Sequence, residues 1–291
     1  MPIIGHKHIL DFFDKSIERG TISHAYCFIG PAHVGKRTVA EEISGKLLHV
    51  PREKLTIHPD MFFVERLVDE KTDALKKDIS IDQIIHLRNQ LARSAFCGGY
   101  SIAILDGGEF LNAASANALL KTLEEPKAKT VLFILTTNER SLPDTILSRC
   151  QRIFFGMARE AEIAEFTTKE IAAASHGRPG VAVFWANNPD AYAAHQGAVK
   201  QFRELWHKPL YEKIQELEPL FGDKRDPIAT RGKIHDMLDV WELTLRDMLL
   251  QGKQAIHPTV RIREKILIAK TYIEKNVHPR LLVEHILLEI P

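Results

Sequence analysis

Apolar runs and amphipathic stripes alternate along the first half of the chain and give way to stripes alone in the second. Tyr26–Ile29, Met61–Val64, Ser101–Asp106 and Val131–Thr137 are short, nearly continuous apolar runs of the kind that form strands buried on both faces. Between them lie helical spacings. Val39, Ile43 and Leu47 recur every four residues, and Ser80-Ile81-Asp82 leads into Ile84, Ile85, Leu87 and Leu91. A further helix is expected from about Asn112 to Glu125, ended by Pro126. Strands alternating with helices predict a parallel sheet flanked by helices over residues 1–157. The charge-rich stretch Glu65–Asp78 reads as a loop or excursion.

From Ala158 onward only helical spacings appear. Gly177-Arg-Pro-Gly180 predicts a turn between two helices. Ile234, Leu238, Trp241, Leu245 and Met248 step by four, three, four and three, one apolar stripe. A last helix from Pro279 carries Leu282, Val283, Ile286, Leu287 and Ile290. The expected division is an α/β domain at 1–157, a small helical segment at 158–197 and an all-α domain at 198–291.

Composition narrows the class of protein. The chain has 291 residues, 45% of them hydrophobic and 26% charged, with a net charge of +1. That balance gives no electrostatic basis for tight nucleic-acid binding by this chain alone. No apolar run is long enough to cross a bilayer, so no membrane association is expected, and the opening Met1-Pro-Ile-Ile-Gly-His-Lys7 has no charged-then-apolar leader. Three cysteines, Cys27, Cys97 and Cys150, are too dispersed for a metal knuckle. They suit a reducing, cytoplasmic setting as buried or half-buried thiols. No metal site is expected.

Three segments carry chemistry. Gly30-Pro-Ala-His-Val-Gly35-Lys36-Arg37-Thr38 has the G-x-x-x-x-G-K spacing of a phosphate-cradling loop between a strand and a helix. The position after the lysine ordinarily holds a Ser or Thr whose hydroxyl binds magnesium, and here it is Arg37, which has only donors and a fixed charge. Thr38 does not replace that hydroxyl simply, because one residue along a helix turns a side chain by about 100°. Asp106 ends an apolar strand, where such folds hold the metal, but the next residue, where a water-orienting Glu is often found, is Gly107. Glu109 is expected to serve as a capping carboxylate. Two independent losses at one site predict little or no ATP hydrolysis. The candidate nucleotide-binding residues are Gly30, Gly35, Lys36, Thr38 and Asp106; ATP or ADP binding at this degenerate loop stays open, and no cofactor is required.

The third segment is Leu142-Pro-Asp-Thr-Ile-Leu-Ser148-Arg149-Cys150, which follows the strand ending in Thr136-Thr137-Asn138. Together with Asn117-Ala-Leu-Leu-Lys-Thr-Leu-Glu-Glu-Pro126, His24-Ala25-Tyr26 and His58-Pro59-Asp60, it resembles the clamp-loader branch of the AAA+ ATPases. More closely, the chain is similar to the delta-prime family of bacterial DNA polymerase III. The resemblance implies a P-loop AAA+ domain, a helical lid and a helical collar. It implies a five-membered heteromeric ring with gamma/tau and delta subunits that places a sliding clamp on primed DNA. It implies that Arg149 reaches a neighbour's ATP site, where a planar cation supplied in trans stabilises charge on the transferring phosphoryl oxygens. The four-cysteine zinc module of many relatives has no counterpart, since no cysteine lies between His49 and Ile79. Arg178 is expected to be a turn residue rather than a second sensor. Glu124 and Glu125 are expected at a solvated helix tip or in a salt bridge to Lys121 or to an adjacent subunit.

The expectation is a non-hydrolysing stator. Its rivals are a hydrolysing gamma/tau-type subunit and a module that only sequesters nucleotide.

Overall fold

A computed structural model describes residues 3–69, 75–221, 227–252, 256–274 and 277–291. The chain forms two compact units, 1–187 and 188–291.

The first unit is built on five parallel strands: β1 (Ala25–Ile29), β2 (Met61–Val64), β3 (Ser101–Asp106), β4 (Thr130–Thr136) and β5 (Gln151–Phe154), in the order β2-β3-β4-β1-β5. Helices α1 (Lys7–Glu18), α2 (Lys36–Leu48), α3 (Ile81–Leu91), α4 (Ala113–Glu124) and the short α5 (Asp144–Leu147) accompany the sheet. The continuous apolar runs follow from burial of both faces. On β1, β3 and β4, Ala25, Cys27, Ala103, Leu105, Leu132 and Ile134 pack with residues of α3, α4 and α5. Their neighbours in sequence, Tyr26, Phe28, Ile102, Ile104, Phe133 and Leu135, pack with residues of α1 and α2. Strand residues alternate between faces, so each face draws on every second residue. An aromatic knot anchors the second face: Phe13 lies 4.8 Å from Tyr26, and Phe28 5.3 Å from Phe133, between ring centroids.

Local signals act as expected at two helix starts. Ser80 and Gln83 form a reciprocal cap at the start of α3, and the Asn112 side chain accepts from Ser115 N at the start of α4. Of the Glu65–Asp78 stretch, residues 70–74 lie outside the described residues; Val68 and Leu75 pair in an antiparallel bridge. After the sheet come α6 (Glu160–Ala164), α7 (Lys169–Ala174) and α8 (Pro179–Asn187), with the expected turn between the last two.

The second unit is helical: α9 (Pro189–Leu205), α10 (Leu210–Phe221), α11 (Pro227–Leu250), α12 (Ile256–Glu274) and α13 (Pro279–Leu287). All five residues of the 234–248 stripe are buried, and they share one core with Phe202, Ile262, Ile266, Val283 and Ile286. Phe202 stacks on Trp241 with 4.8 Å between centroids. Among the described residues, no helix is long and apolar enough to cross a membrane.

One buried group makes the first unit sensitive to acid. His6 is buried and its Nε2 bonds the Val34 carbonyl at 2.9 Å, tying the segment before α1 to the loop before α2. Burial lowers its pKa, helped by His8 and opposed by the Val34 bond and Glu162. The unfolded imidazole, near 6.5, therefore takes up a proton more readily than the folded one. The stability this group contributes is complete above about pH 6.5 and is lost as pH falls through that value toward the depressed folded pKa. Urea midpoints for the first unit's transition should drop between pH 7.5 and 5.5, and His6→Gln should flatten that drop; an equal slope in both chains would contradict it.

Candidate nucleotide site and arginine pair

The loop between β1 and α2 sits at the carboxyl end of the sheet, where open α/β folds place their ligands. Gly35 caps α2 with φ +101°, a conformation that glycine adopts without strain. Its neighbours are fastened on two sides: Val34 O by His6, and His33 O by the Gly180 N–H of α8 at 2.9 Å. The loop is thus a rigid strand-turn-helix with the outline of a phosphate cradle.

Both of its charged groups are engaged within the chain. Lys36 is buried, and its ammonium donates to the carbonyls of Gly30 and of Pro31, the latter at 2.8 Å. Burial lowers its pKa, while Glu109 and Asp106 oppose that effect. Arg37 lies among three carboxylates. Its Nη1 donates to Glu65 Oε2 at 2.7 Å and to Asp106 Oδ2 at 3.3 Å, and its Nε donates to Glu41 Oε1 at 3.1 Å. The guanidinium also lies over the Phe63 ring, 5.6 Å from its centroid. Burial alone would lower its pKa, but the bonds to Glu65 and Glu41 leave it raised. Burial leaves the Asp106 carboxyl raised, with Arg37 only partly opposing that effect. A fixed cation therefore sits against the carboxylate that the sequence pattern singles out as a candidate site residue. Thr38 lies half-buried on α2, one position further on.

Gly107 is more than a missing acid. It has φ +93°, and a Cβ there would stand 2.6 Å from the Phe110 ring, so the turn after β3 is shaped to exclude a side chain. Glu109 is a capping carboxylate, but of β4 rather than α4: it accepts from Thr137 Oγ1 at 2.8 Å and Thr137 N at 3.3 Å. Asn112 is the residue that caps α4.

Arg149 follows α5. Its Nη1 donates to Thr145 O at 2.8 Å and Ser148 Oγ at 3.4 Å, and its Nη2 donates to Glu124 Oε1 at 2.8 Å. Glu124 therefore pairs with Arg149 within the chain, and not with Lys121. Arg178 is a turn residue as expected, its Nε donating to Ser175 O at 3.3 Å.

Away from these sites, His58, Asp60 and Cys97 bring ligand-type atoms within 4.8 Å of one another. Their bonds already explain the cluster. The buried Asp60 accepts from Phe96 N at 2.6 Å and Cys97 N at 2.9 Å, and His58 Nδ1 accepts from Asp60 N at 3.2 Å. The His-Pro-Asp segment locks the 96–97 turn beside β2. Cys27 is buried and Cys150 half-buried, both thiols pushed up to about 12 by burial, whereas Cys97 is exposed, against expectation.

Sequence reasoning singled out Arg37, Asp106 and Gly107 but neither the pairing of Arg37 with Asp106 nor the acids Glu41 and Glu65. Glu65 and Asp106 lie 28 and 69 residues from Arg37, and no local pattern joins them. Glu41 is its i+4 neighbour on a helix and was within reach of a spacing argument.

The family described as "DNA polymerase III, delta subunit" matches residues 5–158. Over 147 residues the chain is 34% identical to the DNA polymerase III subunit delta' of Pseudomonas aeruginosa, covering 45% of this chain and 43% of that protein. It is 25% identical over 305 residues to subunit tau of Bacillus subtilis, covering 90% and 52%. The chain spans about half the length of these relatives. A DNA polymerase III gamma subunit-related protein of Thermotoga maritima shares the fold, with a TM-score of 0.56 at 17% identity over 96% of this chain and 97% of that one.

The pairing of Arg37 with Asp106 predicts that magnesium adds nothing to nucleotide binding. When the native chain is titrated with a fluorescent ATP analogue, any binding should have the same affinity with and without magnesium, within about twofold. Arg37→Ser should make binding tighter with magnesium than without it. Magnesium-dependent binding by the native chain would contradict this account.

Proposed function

The chain belongs to the DNA polymerase III delta subunit family, and we propose that it acts as a stator: a clamp-loader subunit that hydrolyses no ATP and gives Arg149 to a neighbour's ATP site. The observation that carries this reading is the contrast between two arginines. Arg37 blocks the chain's own metal position, bound to Asp106, Glu65 and Glu41. Arg149 stands at the surface in the Ser-Arg-Cys segment, its side chain about a third exposed. One site has lost the parts that hydrolysis needs, while the other keeps the part that helps hydrolysis elsewhere. Arginine suits that role because it stays charged and its planar donors fit phosphoryl oxygens.

The proposed division of labour has three parts: the nucleotide fold to residue 157, a lid over 158–197 and a collar over 198–291. The proposed partners are gamma/tau and delta subunits in a heteropentamer, and through them the sliding clamp and primed DNA. The helical unit supports an assembly role. Beyond its buried core, α12 exposes Val260, Leu267, Ile268 and Tyr272, and Leu281 of α13 is also exposed. Clustered apolar side chains left in water are what a subunit contact would cover. Nucleotide sequestration without hydrolysis is the second reading, favoured by the intact loop outline around Gly30 and Gly35.

Reconstitution with gamma/tau-type and delta-type partners tests the stator reading. The isolated chain should turn over ATP at less than about 0.1 per second, against roughly 10 per second for a typical enzyme. In the complex, Arg149→Ala should assemble normally yet lower DNA-stimulated ATPase by about 10³-fold, the scale seen when an arginine finger is removed. Unchanged stimulation, or turnover by the chain alone, would overturn it.

A further inference from the structure

Glu124 is the last residue of α4, followed by Glu125 and Pro126. A carboxylate there faces the negative end of the helix dipole, which is mildly unfavourable. An arginine beside it reverses that balance, and the structure places one there. The Arg149 guanidinium lies between two acceptors from separate elements: Glu124 Oε1 at 2.8 Å from Nη2, and the α5 carbonyl of Thr145 at 2.8 Å from Nη1. The backbone is held as well, since Arg149 N donates to Ile146 O at 3.1 Å. The side chains of Arg149 and Glu124 remain 36% and 48% accessible.

We propose that Glu124 is a positioning residue for Arg149, which rests on the stator reading. A free arginine samples many rotamers, and a neighbour's phosphate would have to order it. Two acceptors on two helices fix the guanidinium plane before any neighbour arrives. Of its five N–H groups, those not directed at Glu124, Thr145 and Ser148 stay available for phosphoryl oxygens. Pre-ordering of this kind acts on the rate, because misplacement of a catalytic group by about 1 Å can cost on the order of 10²-fold. Glu124 touches no nucleotide in this scheme; it acts through Arg149.

The same pairing accounts for a pattern that sequence alone left open. The Leu-Glu-Glu-Pro end of α4 and the Ser-Arg-Cys turn lie 25 residues apart and meet at one ion pair. As an exposed pair it adds little to stability, so its loss should not unfold the domain.

A double-mutant cycle in the reconstituted complex tests this. Glu124→Ala should lower DNA-stimulated kcat about tenfold while leaving the KM for ATP within twofold, and Glu124→Gln, which keeps an oxygen acceptor, should fall between it and the native chain. In an Arg149→Ala background, Glu124→Ala should change nothing further. Three results would overturn the proposal: unchanged or raised kcat in Glu124→Ala, a further loss in the Arg149→Ala background, or loss of assembly with both Glu124 variants, which would make Glu124 an interface residue. If Arg149→Ala itself has no effect, it is the stator reading that fails.

Discussion

The ion pairs of Arg37 are the constraint on which the proposed function of the first unit rests. Three carboxylates, Glu41, Glu65 and Asp106, converge on one guanidinium at the carboxyl end of the sheet. In a working phosphate-loop enzyme, that place needs a divalent cation that can be exchanged along with its nucleotide. An arginine supplies the charge permanently and offers no coordination site. The carboxylates stay neutralised and the fold stays intact, but the charge can no longer come and go. Lys36 completes this arrangement by turning its ammonium onto carbonyls of its own loop.

The surrounding architecture has little reason to change when chemistry is lost. Both faces of the sheet are filled by apolar side chains of β1, β3 and β4, and the loop is fastened by His6 on one side and Gly180 on the other. Gly107 adds a constraint in backbone geometry: its left-handed turn packs against Phe110 and leaves no room for a side chain. An acid at 107 would require the turn to be reshaped as well as the residue to be replaced. The scaffold is then free to position something else, and the turn after α5 positions Arg149 against Glu124.

Most of the fold was legible because burial on both faces of a sheet and on one face of a helix leaves different periods. The strands at 26–29, 61–64, 101–106 and 131–137 came within one residue of those observed, and all five residues of the 234–248 stripe are buried on α11. Other elements were missed for physical reasons. Helix α1 begins after His6, which is left-handed and makes no side-chain cap, so no Ser, Thr, Asp or Asn announced it. Its Ile9 and Phe13, four residues apart and both buried, were the available signal. Strand β5 is an edge strand of mostly exposed residues, Gln151–Phe154, and has no alternation to read. Helix α5 is a single turn. At the candidate site, the absence of a hydroxyl at 37 and an acid at 107 was plain in sequence. What replaced them was not, because ion pairs across 28 and 69 residues are a property of the folded chain.

The central claim is that a guanidinium has displaced the metal from this site. Manganese is the direct probe, since its electron paramagnetic resonance spectrum distinguishes free, nucleotide-bound and protein-bound ion. With ATP and manganese present, the purified chain should leave the spectrum that of manganese–ATP in buffer. A stoichiometric protein-bound signal from the native chain, lost in Asp106→Asn, would show a working metal site and contradict the account.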